Sequence, residues 1–160
     1  VLENHGRVIG VVTAALGQRW YDVTVQGMEA HAGPTPMELR RGALLAASEL
    51  VMEVNRIAVE RKPHARSTVG TMELFPNSRN VIPGEVFFTV DFRHPEDAVL
   101  AQMDAELRAG VDKIVAETKV ELTSLEQIFY YKPVAFDADC VSSVRAAASS
   151  SAVVRALSSA

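Results

Sequence analysis

The chain has 160 residues, 48% of them hydrophobic and 22% charged, which is enough apolar material for a sizeable core and too little charge for a disordered chain. With 16 Lys+Arg against 20 Asp+Glu the net charge is −4, so no basic surplus exists to displace counterions from nucleic acid, and no nucleic-acid partner is expected. The lone cysteine, Cys140, cannot form an internal disulfide, no apolar run reaches the roughly 18 residues that span a bilayer, and no signal peptide opens the chain, so a cytoplasmic location away from membranes is expected.

In chain order, Val8 to Ala15 is a β-branched apolar run that reads as a strand, stopped by Gly17. From Gln18 to Gln26, Tyr21, Val23 and Val25 alternate with Trp20, Asp22, Thr24 and Gln26, the pattern of a half-buried strand. His31 to Met37 (HAGPTPM) is a stiff loop rich in Gly and Pro. A helix follows from about Pro36 to Glu60, with Leu44, Ala47, Val51, Val54 and Ala58 on one stripe widened by Leu50 and Ile57. Gly42 falls early in that helix, where it costs ~1 kcal/mol against Ala.

Ser67 to Phe75 reads as a strand, Pro76 to Gly84 as a loop, and Glu85 to Arg93 as a second strand with Val86, Phe88, Val90 and Phe92 on its apolar face. Pro95-Glu96-Asp97 opens a second helix, carried by Leu100, Met103, Leu107, Val111 and Ile114 to about Thr118. Lys119 to Tyr131 is the last strand, and Asp137 starts a further helix in a tail where Ser or Ala fills 13 of the last 20 positions. From Gln18 the order is β-α-β-β-α-β, an α+β ferredoxin-like sandwich: a four-stranded sheet with both helices on one face. The crossover helices are expected to join parallel neighbours, with the remaining strands antiparallel.

Chemistry is sparse. The four histidines, His5, His31, His64 and His94, stand apart with no metal-ligand spacing on a helix face, and no Gly-rich phosphate loop occurs. A complete active site within the chain is not expected. His31 is open to two readings: an exposed residue of a loop that sets the helix entry, or an imidazole held rigidly as a transition-state donor. Asn80, in PNSRNVIPG, reads as a turn former; Arg93 pairs with Asp91 or forks onto a substrate carboxylate; Gln18 reads as polar surface. Arg40-Arg41 reads as solvated helix-end charge.

The segments VIGVVTAALGQRWYDVTVQGMEAHAGPTPMELRR, TMELFPNSRNVIPGEVFFTVDFRHP and FDADCVSSVRAAA resemble the carbamoylase and allantoate-amidohydrolase branch of the aminoacylase/carboxypeptidase-type metallohydrolases. GQR, EAHAGPTPM, SRNVIPG and DFRHP occur in that branch's order and spacing. The resemblance implies residues 17–132 as the lid and dimerisation domain, 1–16 as the end of the first catalytic half, and 133–160 as the start of the second. It implies a homodimer and a parent hydrolase of N-carbamoyl amino acids or allantoate-like substrates. It also implies two divalent metal ions in that parent, Zn or Mn or else Co or Ni, with no metal ligand in this chain.

Carried onto this sequence, the resemblance makes His31 the lid histidine that enters the neighbouring subunit's site and stabilises the oxyanion. Asn80 and Arg93 become the pair on the substrate carboxylate, and Gln18 a further substrate contact. The isolated chain is expected to be inactive. The other reading is a free-standing ferredoxin-like interaction or small-ligand module without catalysis.

Overall fold

A computed structural model of the chain describes residues 2–150. They divide into two compact units, Leu16–Lys132 and the flanking segments on either side of it.

After β1 (Ala14–Ala15), which belongs to the flanking unit, the larger unit opens with the long strand β2 (Gly17–Gln26). A short β3 (Ala30–His31) and a 3₁₀ turn over Met37–Leu39 lead to α1 (Ala43–Val59). Then come β4 (Arg66–Thr68), β5 (Met72–Phe75), β6 (Val81–Ile82), β7 (Glu85–His94), α2 (Asp97–Thr118) and β8 (Glu121–Tyr131). The main sheet has the order β4-β7-β2-β8, with β5 also pairing β7. This is the ferredoxin-like arrangement, with the second of its four strands broken at Gly70.

All ladders of the sheet are antiparallel, including β2 with both β7 and β8. The expected parallel neighbours are absent because each helix carries the chain past one strand position. Strands joined by a helix run the same way but never touch.

The core follows from the alternation. Tyr21, Val23 and Val25 of β2 and Val86, Phe88, Val90 and Phe92 of β7 are buried under both helices. Each such side chain contributes ~1.5–3 kcal/mol by leaving water. On α2 the five apolar residues singled out from the 3.6-residue pattern are the five buried ones. On α1 the buried stripe centres on Leu50 and Ile57, with Ala46, Ala47 and Val54, so Leu44 and Val51 sit at its margin.

Three further boundaries differ from the sequence reading. Val8 to Thr13 is not a strand; only Ala14–Ala15 finds a partner, in β9 (Val134–Ala135), and an apolar run with no neighbour to bond gains no ladder. The helix starts at Ala43 rather than Pro36, because Arg40 and Gly42 are extended, at ψ 137° and 117°. Gly42 is therefore the N-cap, outside the helix interior, and the glycine penalty does not apply. Finally, the loop from Pro76 to Gly84 contains β6, paired with β3.

The flanking unit holds a 3₁₀ turn (Glu3–His5), the β1–β9 pair and α3 (Ala138–Ser150). Asp137 Oδ1 accepts from the Asp139 and Cys140 N–H groups at 3.0 and 2.9 Å, capping α3. The end of the Ser/Ala tail lies outside the described residues.

Candidate functional site

The four residues singled out from sequence fall into two pairs. His31 ends β3 and faces β6, with His31 opposite Val81. Beyond that ladder Ala32 N–H donates to Asn80 O at 2.8 Å, and Asn80 Nδ2 lies 3.5 Å from His31 Nε2. The Ser78 hydroxyl meets Asn80 Oδ1 at 3.1 Å and steadies the amide.

The His31 ring is fixed from its other side. Gly33 N–H donates to Nδ1 at 3.0 Å. A Cβ on Gly33 would come within 3.2 Å of the ring, so a glycine lets the backbone approach this closely. With Nδ1 accepting, the neutral ring carries its proton on Nε2, the nitrogen beside Asn80. Two N–H donors, one from each residue, therefore stand side by side.

The loop itself is clasped by Arg40. Its Nη2 donates to Ala32 O at 2.7 Å and to Thr35 O at 3.0 Å, and its Nε donates to Thr35 O at 3.1 Å. Thr35 Oγ1 closes the turn onto His31 O at 2.7 Å. Arg40 is thus a part of the site that the sequence reading placed among solvated helix charges. Helical periodicity could not reveal it, because the clasp depends on the chain being extended there.

The second pair is Gln18 and Arg93, directly opposite each other on β2 and β7. Asp91 takes Arg93 Nε at 3.0 Å and Nη2 at 2.8 Å. That hydrogen-bonded carboxylate holds the guanidinium pKa above its ordinary value, so Arg93 stays charged. Among the described residues nothing bonds Nη1, which leaves part of the fork open to a second carboxylate.

The two pairs are far apart. From the Gln18–Arg93 rung the β2–β7 ladder runs to Gln26 opposite Glu85. It continues through Gly27 N–H to Gly84 O at 2.7 Å and into the β3–β6 rungs. Eight residues of strand span about 26 Å, so a small substrate cannot touch both pairs within one subunit. Nor do the described residues offer any group of three His, Cys, Asp or Glu able to hold a metal ion. No described helix is long and apolar enough to cross a membrane.

Residues 13–121 match a family described as the peptidase dimerisation domain. The chain belongs to that family. Among relatives of this dimerisation domain, an N-carbamoyl-L-amino-acid amidohydrolase of Rhizobium meliloti is 43% identical, over 92% of this chain and 35% of its own length. An allantoate amidohydrolase of Escherichia coli is 39% identical, over 76% of this chain and 31% of its own. A solved hydantoinase/carbamoylase-family amidase of Burkholderia multivorans superposes with a TM-score of 0.88 at 64% identity, over 92% of this chain and 36% of that one. These are the carbamoylases and allantoate amidohydrolases that the motifs resemble, and the chain spans about a third of the length of each.

Proposed function

We propose that the chain is the lid and dimerisation part of a divalent-metal amidohydrolase that cleaves the carbamoyl or ureido C–N bond of an N-carbamoyl amino acid or allantoate-like substrate. Residues 17–132 form the lid. The flanking segments belong to the catalytic domain, a reading supported by Val8, Ile9, Val12 and Phe136, which are 58%, 42%, 68% and 44% exposed as large apolar groups. A cytoplasmic location suits the free, exposed thiol of Cys140.

The observation that carries the mechanism is the separation of the two pairs. Each substrate is held by Gln18 and Arg93 of one subunit and met by His31 and Asn80 of the partner subunit. Arg93 offers Nη1 to the substrate carboxylate, and Gln18 and the partner subunit's Asn80 add hydrogen bonds to it. Hydrolysis passes through a tetrahedral carbon whose oxygen gains negative charge, and the partner subunit's His31 donates its Nε2 proton to that oxygen. The 3.5 Å contact between His31 and Asn80 makes the oxyanion donor and the carboxylate contact arrive as one unit. Metal ions would bind the parent outside the described residues of this chain.

Mixed dimers of the full-length parent test the arrangement. A His31→Ala subunit paired with an Arg93→Ala subunit has one site with both residues intact and one with neither. Random mixing of the two inactive variants should then restore about a quarter of wild-type turnover, since half the dimers are mixed and each has one good site. No recovery in preparations shown to contain mixed dimers would place all four residues in one subunit's site and overturn the reading.

A further inference from the structure

The open face of the sheet, away from the helices, carries an apolar patch next to the Gln18–Arg93 pair. Gln18 stands between Arg93 of β7 and Tyr131 of β8, and the next rung on the same face sets Trp20 between Asp91 and Phe129. The Trp20 and Phe129 rings stack with centroids 4.8 Å apart, tilted by 35°. A β-bulge beside Trp20 leaves Ile128 without a partner on β2, and Ile128 joins Trp20, Asp22, Thr89 and Asp91 around an open cleft of about 270 Å³. Trp20, Ile128, Phe129 and Tyr131 are between 38% and 53% exposed, so four large apolar side chains crowd one small area that no described residue covers.

The patch lies within reach of whatever Arg93 holds. Arg93 leans along its own strand to donate from Nε at 3.0 Å and Nη2 at 2.8 Å to Asp91, and Asp91 is the residue opposite Trp20. Successive residues on one face of a strand are about 7 Å apart, and the lean of Arg93 covers part of that step. In phenylalanine the ring centre is about 5 Å from the carboxyl carbon, a span of a few bonds. A carboxylate on the open Nη1 therefore brings its own side chain beside Trp20 and Ile128. An aromatic ring there completes a three-ring cluster with Trp20 and Phe129, whereas a methyl group falls short of both.

The same cleft discriminates by charge. Asp22 follows Trp20 on this face, with Glu126 opposite it on β8, and no described residue pairs with the Asp22 carboxylate. A second negative charge on the substrate meets like charge there.

We propose that Trp20, Ile128 and Phe129 form the side-chain subsite of the reaction, and that the substrate is an N-carbamoyl amino acid with an aromatic or large apolar side chain. N-carbamoyl-aspartate fits it poorly, and so does allantoate, which carries a second ureido group in place of a side chain. The inference rests on the Gln18–Arg93 half of the site proposed above.

N-carbamoyl-phenylalanine and N-carbamoyl-alanine share the carboxylate and the carbamoyl group, so the ratio of their kcat/KM values in the full-length parent isolates the side chain. The ratio should favour the phenylalanine compound ~10–100-fold, and Trp20→Ala should cut it about tenfold, with Trp20→Phe retaining most of it. Asp22→Asn should raise the cleavage of N-carbamoyl-aspartate relative to both. Equal values for the two compounds, or a ratio that Trp20→Ala leaves intact, would overturn the subsite while the hydrolase reading stands.

A parent that cleaves neither compound would overturn the hydrolase reading instead, and binding then decides the subsite. Trp20 is the single tryptophan of the chain, so its emission in the 160-residue chain reports occupation directly. N-carbamoyl-phenylalanine should shift that emission at lower concentration than N-carbamoyl-alanine, and the Arg93→Ala chain should lose the shift. Emission unchanged at millimolar N-carbamoyl-phenylalanine would reject the subsite.

Discussion

His31 is held by groups that lie within a few residues of it. Gly33 orients the ring, Thr35 closes the turn, and Arg40 ties the loop carbonyls together. In the proposed site such a side chain would donate where charge develops and would change little when substrate first binds. Arg93 is squared up by Asp91, and in the proposed site it would grip a carboxylate that is present throughout the reaction. The two should therefore separate kinetically in the parent enzyme. His31→Ala should lower kcat by ~10²–10³ with little change in KM. Arg93→Ala should raise KM about tenfold or more and spare kcat. Steady-state kinetics on one N-carbamoyl amino acid tests both. An Arg93→Ala effect confined to kcat would remove it from the carboxylate role. Arg40→Ala, which touches only the loop, should resemble a weaker His31→Ala.

At the scale of elements, alternation and helical periodicity were strong enough to read β2, β7 and α2 from the sequence within a residue or two. Each has a full complement of partners, so its own pattern decided it. The misreadings fall where a partner was missing or unforeseen. Val8 to Thr13 has β-branched residues and no neighbouring strand. The single strand read across Ser67 to Phe75 breaks at Gly70, and β6 hides in a loop because it pairs only with β3. Of the site, the loop residues His31 and Asn80 stood out by their surroundings in sequence, whereas Arg40 and the Asp91 clamp depend on backbone geometry that no periodicity encodes.

The start of α3 carries a charge whose effect on stability has a definite sign. The Cys140 N–H, and with it that of Asp139, holds the Asp137 carboxyl below its ordinary range. A carboxylate whose pKa is lower folded than unfolded stabilises above the unfolded value, and the benefit is lost as pH falls through the folded one. The α3 contribution to far-ultraviolet circular dichroism should thus be full at neutral pH and decline below pH ~4. Asp137→Asn keeps an acceptor for the same N–H groups and should flatten that decline. An unchanged acid transition in the Asn variant would mean that the cap does not control the helix.

For the whole molecule, neither composition nor periodicity carries the distance between half-sites; that needed the register of β2 on β7. Once Gln18 is set opposite Arg93 and Gln26 opposite Glu85, the length of the ladder decides which residues can share a substrate. The same ladder has a genetic consequence. On the proposed composite site, lesions at His31 and at Arg93 carried by two different gene copies should complement each other, because one of the two sites in the hybrid dimer is whole. Both lesions placed on one gene copy do the opposite. Every hybrid with a normal subunit would then have one centre lacking the imidazole and another lacking the guanidinium, and the normal subunit would be wasted. A doubly altered allele would act as a dominant poison, its damage growing with its share of the subunit pool, while either single lesion would leave each hybrid one working centre.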